Sequence, residues 1–478
     1  MIGCGGGHGA PAGSDAARGS DAAMGTDAAM GTDATPGADI VGTAVIHHVT
    51  ESGTVDTAID LVQHPVVAYF EDSPGHFLSY AATASPGGFT ISGLPAGPFV
   101  LEIGRSVIVG GTAYIETSQR TIDASWSEVG RIDGVEASGT TELGGILSGL
   151  ESWQTGDQLI ATCGNLPRIN VQSAMPAPDV GSTMYTSGEL GALMLSATTT
   201  MPLIDGSKGD QVWVAQARVA NYNAGEYGRI VKAVSSTSLE EQDVVGTALV
   251  ATLADVPQTS ATFTWQASQF GAVATGLAVD EKYVSQSWGA SAALVPNEYA
   301  VGLFAYTTMD ASAADATPTV AYGDPYPASW TRLAYASGFA KSTALQPATW
   351  MVAEPLASLD GSTLAPVVGP ATALEVGGMA ATNPLIGVGT SPIVSWTAPA
   401  TGTPTSYEVV VANDDGKTAT IMTKSISVTI PPGMVASGHQ FEVTVRAHAD
   451  ATRDPELAPF ALDTTFAYVD TTSVMLTP

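Results

Sequence analysis

The chain has 478 residues, with 16 Lys plus Arg against 46 Asp plus Glu, for a formal net charge of −30. Only 13% of residues are charged while 45% are hydrophobic, so most of the chain can bury a core. The acid excess excludes tracking of a phosphate backbone, which needs clustered Lys and Arg, and no apolar run reaches the roughly 18 residues of a membrane-spanning helix.

Residues 1–39 carry a recurring hexad: GSDAAR at 13–18, GSDAAM at 19–24, GTDAAM at 25–30 and GTDATP at 31–36. Met24 and Met30 are its only sizeable apolar side chains, too few to offset the entropy of ordering it. Asp15, Asp21, Asp27 and Asp33 repel one another and extend it. The expectation is a disordered tether. At its start, Ile2-Gly3-Cys4 resembles the lipobox of bacterial lipoproteins, in which small residues precede a Cys that receives diacylglycerol. Met1 stands where that box usually has Leu, and the basic and apolar leader of a signal peptide is expected upstream of Met1. The resemblance implies lipidation of Cys4 and an acyl anchor that holds the protein to a membrane without crossing it, at the outer membrane or cell surface. Cys163, the second cysteine, is expected as a buried apolar residue.

After residue 40, period-2 alternation and β-branched runs dominate, with Gly, Pro, Asn and Asp clusters about every ten residues. The fold class read from this is all-β, built of several β-sandwiches. One helix is expected over 189–197. Residues 40–124 hold Gly88-Phe89-Thr90-Ile91-Ser92-Gly93-Leu94-Pro95-Ala96-Gly97-Pro98-Phe99-Val100-Leu101. Phe89 and Ile91 share one face of a strand, a turn forms around Pro95, and Phe99 and Leu101 return to the same core. The motif resembles the carboxypeptidase regulatory-like domain, which implies a prealbumin-like sandwich and says nothing about catalysis; no peptidase motif accompanies it. His47, His48 and His64 read as edge or loop residues, with no third ligand at metal spacing.

Residues 125–379 form a central antiparallel β region, expected as one large or two small sandwiches. Strands over 211–221, 228–235, 246–253 and 261–269 suggest an up-and-down sheet. A Gly-Asp-Gln-aliphatic sequence occurs at 156–159 and again at 209–212, each time as a turn feeding a strand. The loop from Tyr322 to Trp330 places Tyr322, Tyr326 and Trp330 within nine residues, with Pro325 and Pro327 limiting its entropy. These three are the candidate ligand-binding residues, with side chains expected to project.

Residues 380–478 resemble a fibronectin type III domain. Pro392-Ile393-Val394-Ser395-Trp396 matches the strand with the core Trp, Tyr407–Val411 the third strand, and Phe441–Ala447 the penultimate strand, where Phe441 replaces the usual tyrosine.

Motifs for nucleophilic, nucleotide or zinc chemistry are missing from the sequence, and no His occurs between His76 and His439. No catalytic residue, metal site or cofactor is therefore expected. Loop aspartates Asp310, Asp315, Asp414 and Asp415 could at most serve a Ca²⁺ ion. The reading is a non-enzymatic, surface-tethered lipoprotein with a structural or adhesive role at the bacterial cell envelope. Its partners are a membrane, through the lipid, and a cell-surface glycan or protein; nucleic acid is excluded. Two alternatives stay open: a carbohydrate-binding protein acting through the central region, and a polysaccharide-acting enzyme with paired carboxylates among Glu240, Glu241, Asp243, Asp280 and Glu281.

Overall fold

The computed structural model describes residues 37–104, 112–133, 145–166, 168–172, 177–186, 204–222, 225–236, 249–275, 283–296, 300–309, 314–341 and 347–478. Cys4, the helix expected over 189–197 and all but the last three residues of the expected tether lie outside them. The fold is all-β. The one α-helix among the described residues is Ala267–Thr275, and no described helix is long and apolar enough to cross a membrane.

At the N-terminal end, two four-stranded sheets face each other. One has the order Thr121–Asp123, Ile40–Thr43, Gly88–Ile91, Thr83–Ser85. The other runs His76–Ala81, Val66–Ser73, Phe99–Ile103, Thr112–Thr117. Alternation decides what lies between them: Phe89, Ile91, Leu101 and Ile103 are buried in one cluster with Ile40, Val66 and Ala68. A hairpin, Val45–Thr50 with Gly53–Ala58, extends from this sandwich toward the central region. There Asn165 accepts from the Glu51 backbone N–H at 2.7 Å.

The central region builds a long antiparallel sheet. Its strands run in the order Arg168–Gln172, Gln158–Cys163, Val212–Tyr222, Gly225–Ser236, Val301–Thr308, Tyr283–Ala293, Thr331–Lys341, Ala348–Pro355. Only the first two of the four strands expected to run up and down are neighbours. Leu249–Thr252 instead pairs in parallel with Gly145–Ser148, and Gln258–Thr262 pairs with Thr319–Gly323. The strand expected over 261–269 stops at Trp265, and helix Ala267–Thr275 begins behind it, with Asp315 accepting from the Ser268 N–H at its first turn. Cys163 is buried at the end of its strand.

The repeated Gly-Asp turns share one device. Asp157 is buried and takes the Arg218 Nε and Nη2 at 3.1 and 3.0 Å. Asp210, fully buried, takes the Arg131 Nε and Nη2 at 3.0 and 2.9 Å. In each case a forked guanidinium neutralises a carboxylate at the foot of a strand.

The C-terminal sandwich has the fibronectin type III-like arrangement. Thr372–Val376, Ile393–Thr397 and Ser427–Thr429 form one sheet. Thr418–Thr423, Ser406–Asn413, Phe441–Asp450 and Phe466–Thr472 form the other. Trp396 lies between them against Tyr407, ring centroids 5.1 Å apart, with Val409, Phe441, Val443 and Val445 inaccessible to solvent. Strand Thr372–Val376 lies before residue 380, yet its Leu374 and Val376 belong to this core.

These bodies are joined by strand pairing as well as by linkers. Ala348–Pro355, the last strand of the central sheet, pairs antiparallel with Phe466–Thr472. On the far edge of the same C-terminal sheet, Thr418–Thr423 pairs in parallel with Thr112–Thr117 of the N-terminal sandwich. One hydrogen-bonded ladder therefore runs through all three regions.

Candidate functional site

The aromatic loop does not project. Tyr322, Tyr326 and Trp330 are all buried, which corrects the expectation that they form an exposed binding loop. Tyr326 stacks on Trp330 with centroids 4.9 Å apart and planes within 5°. Trp213 meets Tyr326 edge-on at 5.8 Å, and Tyr322 packs on Phe304 at 5.2 Å. Burial pushes the phenol pKa values of Tyr322 and Tyr326 upward. Arg332 is the reason the loop turns its rings inward. Its guanidinium binds Asp324 at 2.8 Å and donates to the carbonyls of Tyr326 at 2.8 Å and Pro327 at 2.6 Å, and to that of Trp330. With its backbone oxygens satisfied locally, the loop can bury its side chains.

The other sequence candidates divide in two. Cys4, Glu240, Glu241, Asp243, Asp280, Glu281 and Asp310 lie outside the described residues. Among those described, Asp315 serves the helix start, Asp414 accepts from His439 at 2.8 Å, and Asp415 pairs with Lys417 at 3.0 Å. No cluster of three or more metal-ligating side chains occurs among the described residues.

The feature that sequence reading missed is a groove of about 600 Å³ across the seam between the central and C-terminal sheets. It lies on one face of six successive strands, so it is built by lateral pairing. One row crosses Thr307, Ser287, Ser337, Met351, Tyr468 and His448; the next crosses Ala305, Gly289, Tyr335, Ala353, Phe466 and Asp450. Small residues occupy much of its floor, among them Ser287, Ser337, Ala305 and Ala353. A Cβ on Gly289 would sit 3.0 Å from the Tyr335 hydroxyl, so the missing side chain leaves room for that ring. The rings of Phe466 and Tyr468 lie with parallel planes, centroids 6.4 Å apart. Hydroxyls of Ser287 and Ser337 bond each other at 3.0 Å.

The charged groups at one end of the groove are each engaged by a partner. Arg453 pairs with Asp450 at 2.7 Å. Asp463 accepts backbone N–H groups from Thr452 at 2.6 Å and Thr465 at 3.0 Å; burial would raise its pKa, and these bonds outweigh that and lower it. A further row, Glu408, Arg446 and Asp470, continues the ladder to Thr349 of the central sheet. Burial opposes ionisation of Glu408, but the charge of Arg446, aided by a His448 hydrogen bond, holds it at about 2. The Arg446 guanidinium sits 4.4 Å from the Tyr468 ring centroid, covering one face of it.

No profile of a known protein family matches the chain, and no curated protein does. Among solved structures, the FN1–FN3 domains of chicken CNTN1 align over 92% of this chain and 98% of that one, at 8% identity and a TM-score of 0.15. A streptococcal ancillary pilin aligns over 69% of this chain and 98% of its own, at 9% identity and a TM-score of 0.12. At such scores neither superposition relates the folds; the sandwich assignment stands on the strand orders above.

Proposed function

We propose that this chain is a non-enzymatic structural or adhesive protein of the bacterial cell envelope, carried at the surface by a lipid on Cys4. The observation that carries the reading is the ladder through the three regions. Pairing of Ala348–Pro355 with Phe466–Thr472, and of Thr418–Thr423 with Thr112–Thr117, makes a stiff body of what would otherwise be beads on linkers. A body of this kind presents a contact surface of fixed geometry. The carboxylates of the groove fit a non-catalytic role: Asp450 is engaged by Arg453 and Asp463 by backbone donors, so neither is poised as an acid or nucleophile.

The test is expression with a native leader and a clickable fatty acid. The protein should take the label, sit in the membrane fraction and be shaved from intact cells by added protease. Cys4→Ala should lose the label and move to the soluble fraction. Unchanged membrane retention of that variant would overturn the anchoring.

A further inference from the structure

We propose that the seam groove is a binding site for a linear, neutral oligosaccharide. The inference deepens the adhesive reading by naming its ligand class, and it rests on that reading only for its biological use. Three properties of the groove point to the same chemistry.

The first is shape. A row crossing six strands spans five inter-strand gaps, or ~24 Å at about 4.8 Å each. Small residues, Ala305, Ser287, Ser337 and Ala353, alternate along the two rows with Tyr335, Met351, Phe466, Tyr468 and His448, and Gly302 opens onto free space where a Cβ would have no neighbour within 4 Å. Such a length suits an extended chain better than a compact ligand.

The second is surface type. Tyr335, Phe466 and Tyr468 offer ring area on a sheet face, while Ser287, Ser291, Ser337 and Thr307 offer hydroxyls that can both donate and accept. Sugar rings present the complement, with apolar C–H faces and a rim of hydroxyls. An apolar partner would match none of the remaining capacity of these hydroxyls, of which only Ser287 and Ser337 bond each other, at a desolvation cost.

The third is charge. At the groove end Arg453 is paired with Asp450 and Asp463 is held by backbone N–H groups, and a chain of net charge −30 repels polyanions. A sulfated or phosphorylated glycan is therefore disfavoured, and a neutral one is not. Both described arginines at this end are paired: Arg453 is held by Asp450, and Arg446 by Asp470 and Glu408.

The experiment is titration calorimetry on the full chain. Probes are hexasaccharides of the gluco, xylo, manno and N-acetylglucosamine series, their monosaccharides, heparin hexasaccharide and a proline-rich peptide. The expected result is binding of at least one neutral hexasaccharide, its monosaccharide weaker by at least about tenfold, and no heparin binding. Phe466→Ala should weaken the hexasaccharide about tenfold with the melting temperature nearly unchanged. Ser337→Phe, which fills the floor, should abolish binding, and Val62→Ser, far from the groove, should not alter it. No hexasaccharide binding, binding that survives both groove variants, or binding of the peptide alone would overturn the proposal. None of these outcomes alters membrane labelling of Cys4, so failure of the site and failure of the anchor are distinguishable.

Discussion

Two aromatic groups in this molecule have opposite fates. Tyr322, Tyr326 and Trp330 are neighbours in sequence and end in the core; Tyr335 lies more than a hundred residues before Phe466 and Tyr468, yet the three meet on a groove. The difference lies in how each backbone is satisfied. In the loop, Arg332 gathers three carbonyl oxygens and Asp324, so the main chain faces the guanidinium and the rings fill the space behind it. On the sheet, the ladder satisfies the backbone, and alternation sends Trp350 and Val352 inward while Met351 and Ala353 face the groove. Local density of aromatics is thus a poor sign of a binding surface where an arginine sits in reach.

The largest effect that can break this comparison comes from truncating a ring on each side. Trp330→Ala should cost on the order of 3–5 kcal/mol by opening a cavity beneath the stacked Tyr326. Phe466→Ala, at a half-buried position on the groove, should cost less, about 1–2 kcal/mol. Denaturant melts of the two variants check this, and a cost for Phe466→Ala equal to that for Trp330→Ala would place the groove ring in the core.

A middle-sized effect should appear with acid. The Glu408 carboxyl is lowered from about 4.5 to about 2 in the folded protein. Its contribution is therefore full above the unfolded value and is lost as pH falls from about 4.5 through about 2. The stability at stake is on the order of a few kcal/mol. Glu408→Gln should flatten the stability profile in that window, as read by urea melts at successive pH values. A wild-type slope retained in the variant would mean that Glu408 does not anchor the seam.

The smallest effect concerns Glu51, whose carboxylate lies beside Trp213, with the indole Nε1 3.3 Å away. Burial raises its pKa despite the hydrogen bonds it accepts. A raised folded value means that the charged form is disfavoured, so stability from this group falls as pH rises through it. Glu51→Gln should raise the melting temperature slightly at pH 7 and leave it unchanged at pH 4. A lowered melting temperature at pH 7 would show that the charge is needed.

Much of the fold was legible where the signal lies within one short segment. Phe89, Ile91, Phe99 and Leu101 read as one core face, and so did Trp396, Tyr407 and Phe441; all are buried as alternation requires. The start of the C-terminal sandwich was not, because the pairing partner of Ile393–Thr397 is Thr372–Val376, a short strand without a distinctive motif. The groove was illegible for a related reason. Its rows join residues such as Ser287, Ser337 and Tyr468, and only strand register brings those together. Periodicity tells which face a residue takes; it does not tell which distant strand lies beside it. The inward turn of Tyr326 and Trp330 depended on Arg332, two residues past the loop, whose role a count of aromatics does not reveal.

The central claim is that the regions form one body through strand pairing, and amide hydrogen exchange at the seam tests it most directly. The informative amides are those of Trp350 to Ala353 and of Phe466 to Val469. Pairing across the seam predicts protection that matches the interior pair Ser285 to Gly289 against Tyr335 to Phe339, lost in the same transition. Seam amides that exchange as freely as surface turns while the interior pair stays protected would contradict the claim and return the protein to separate modules on linkers.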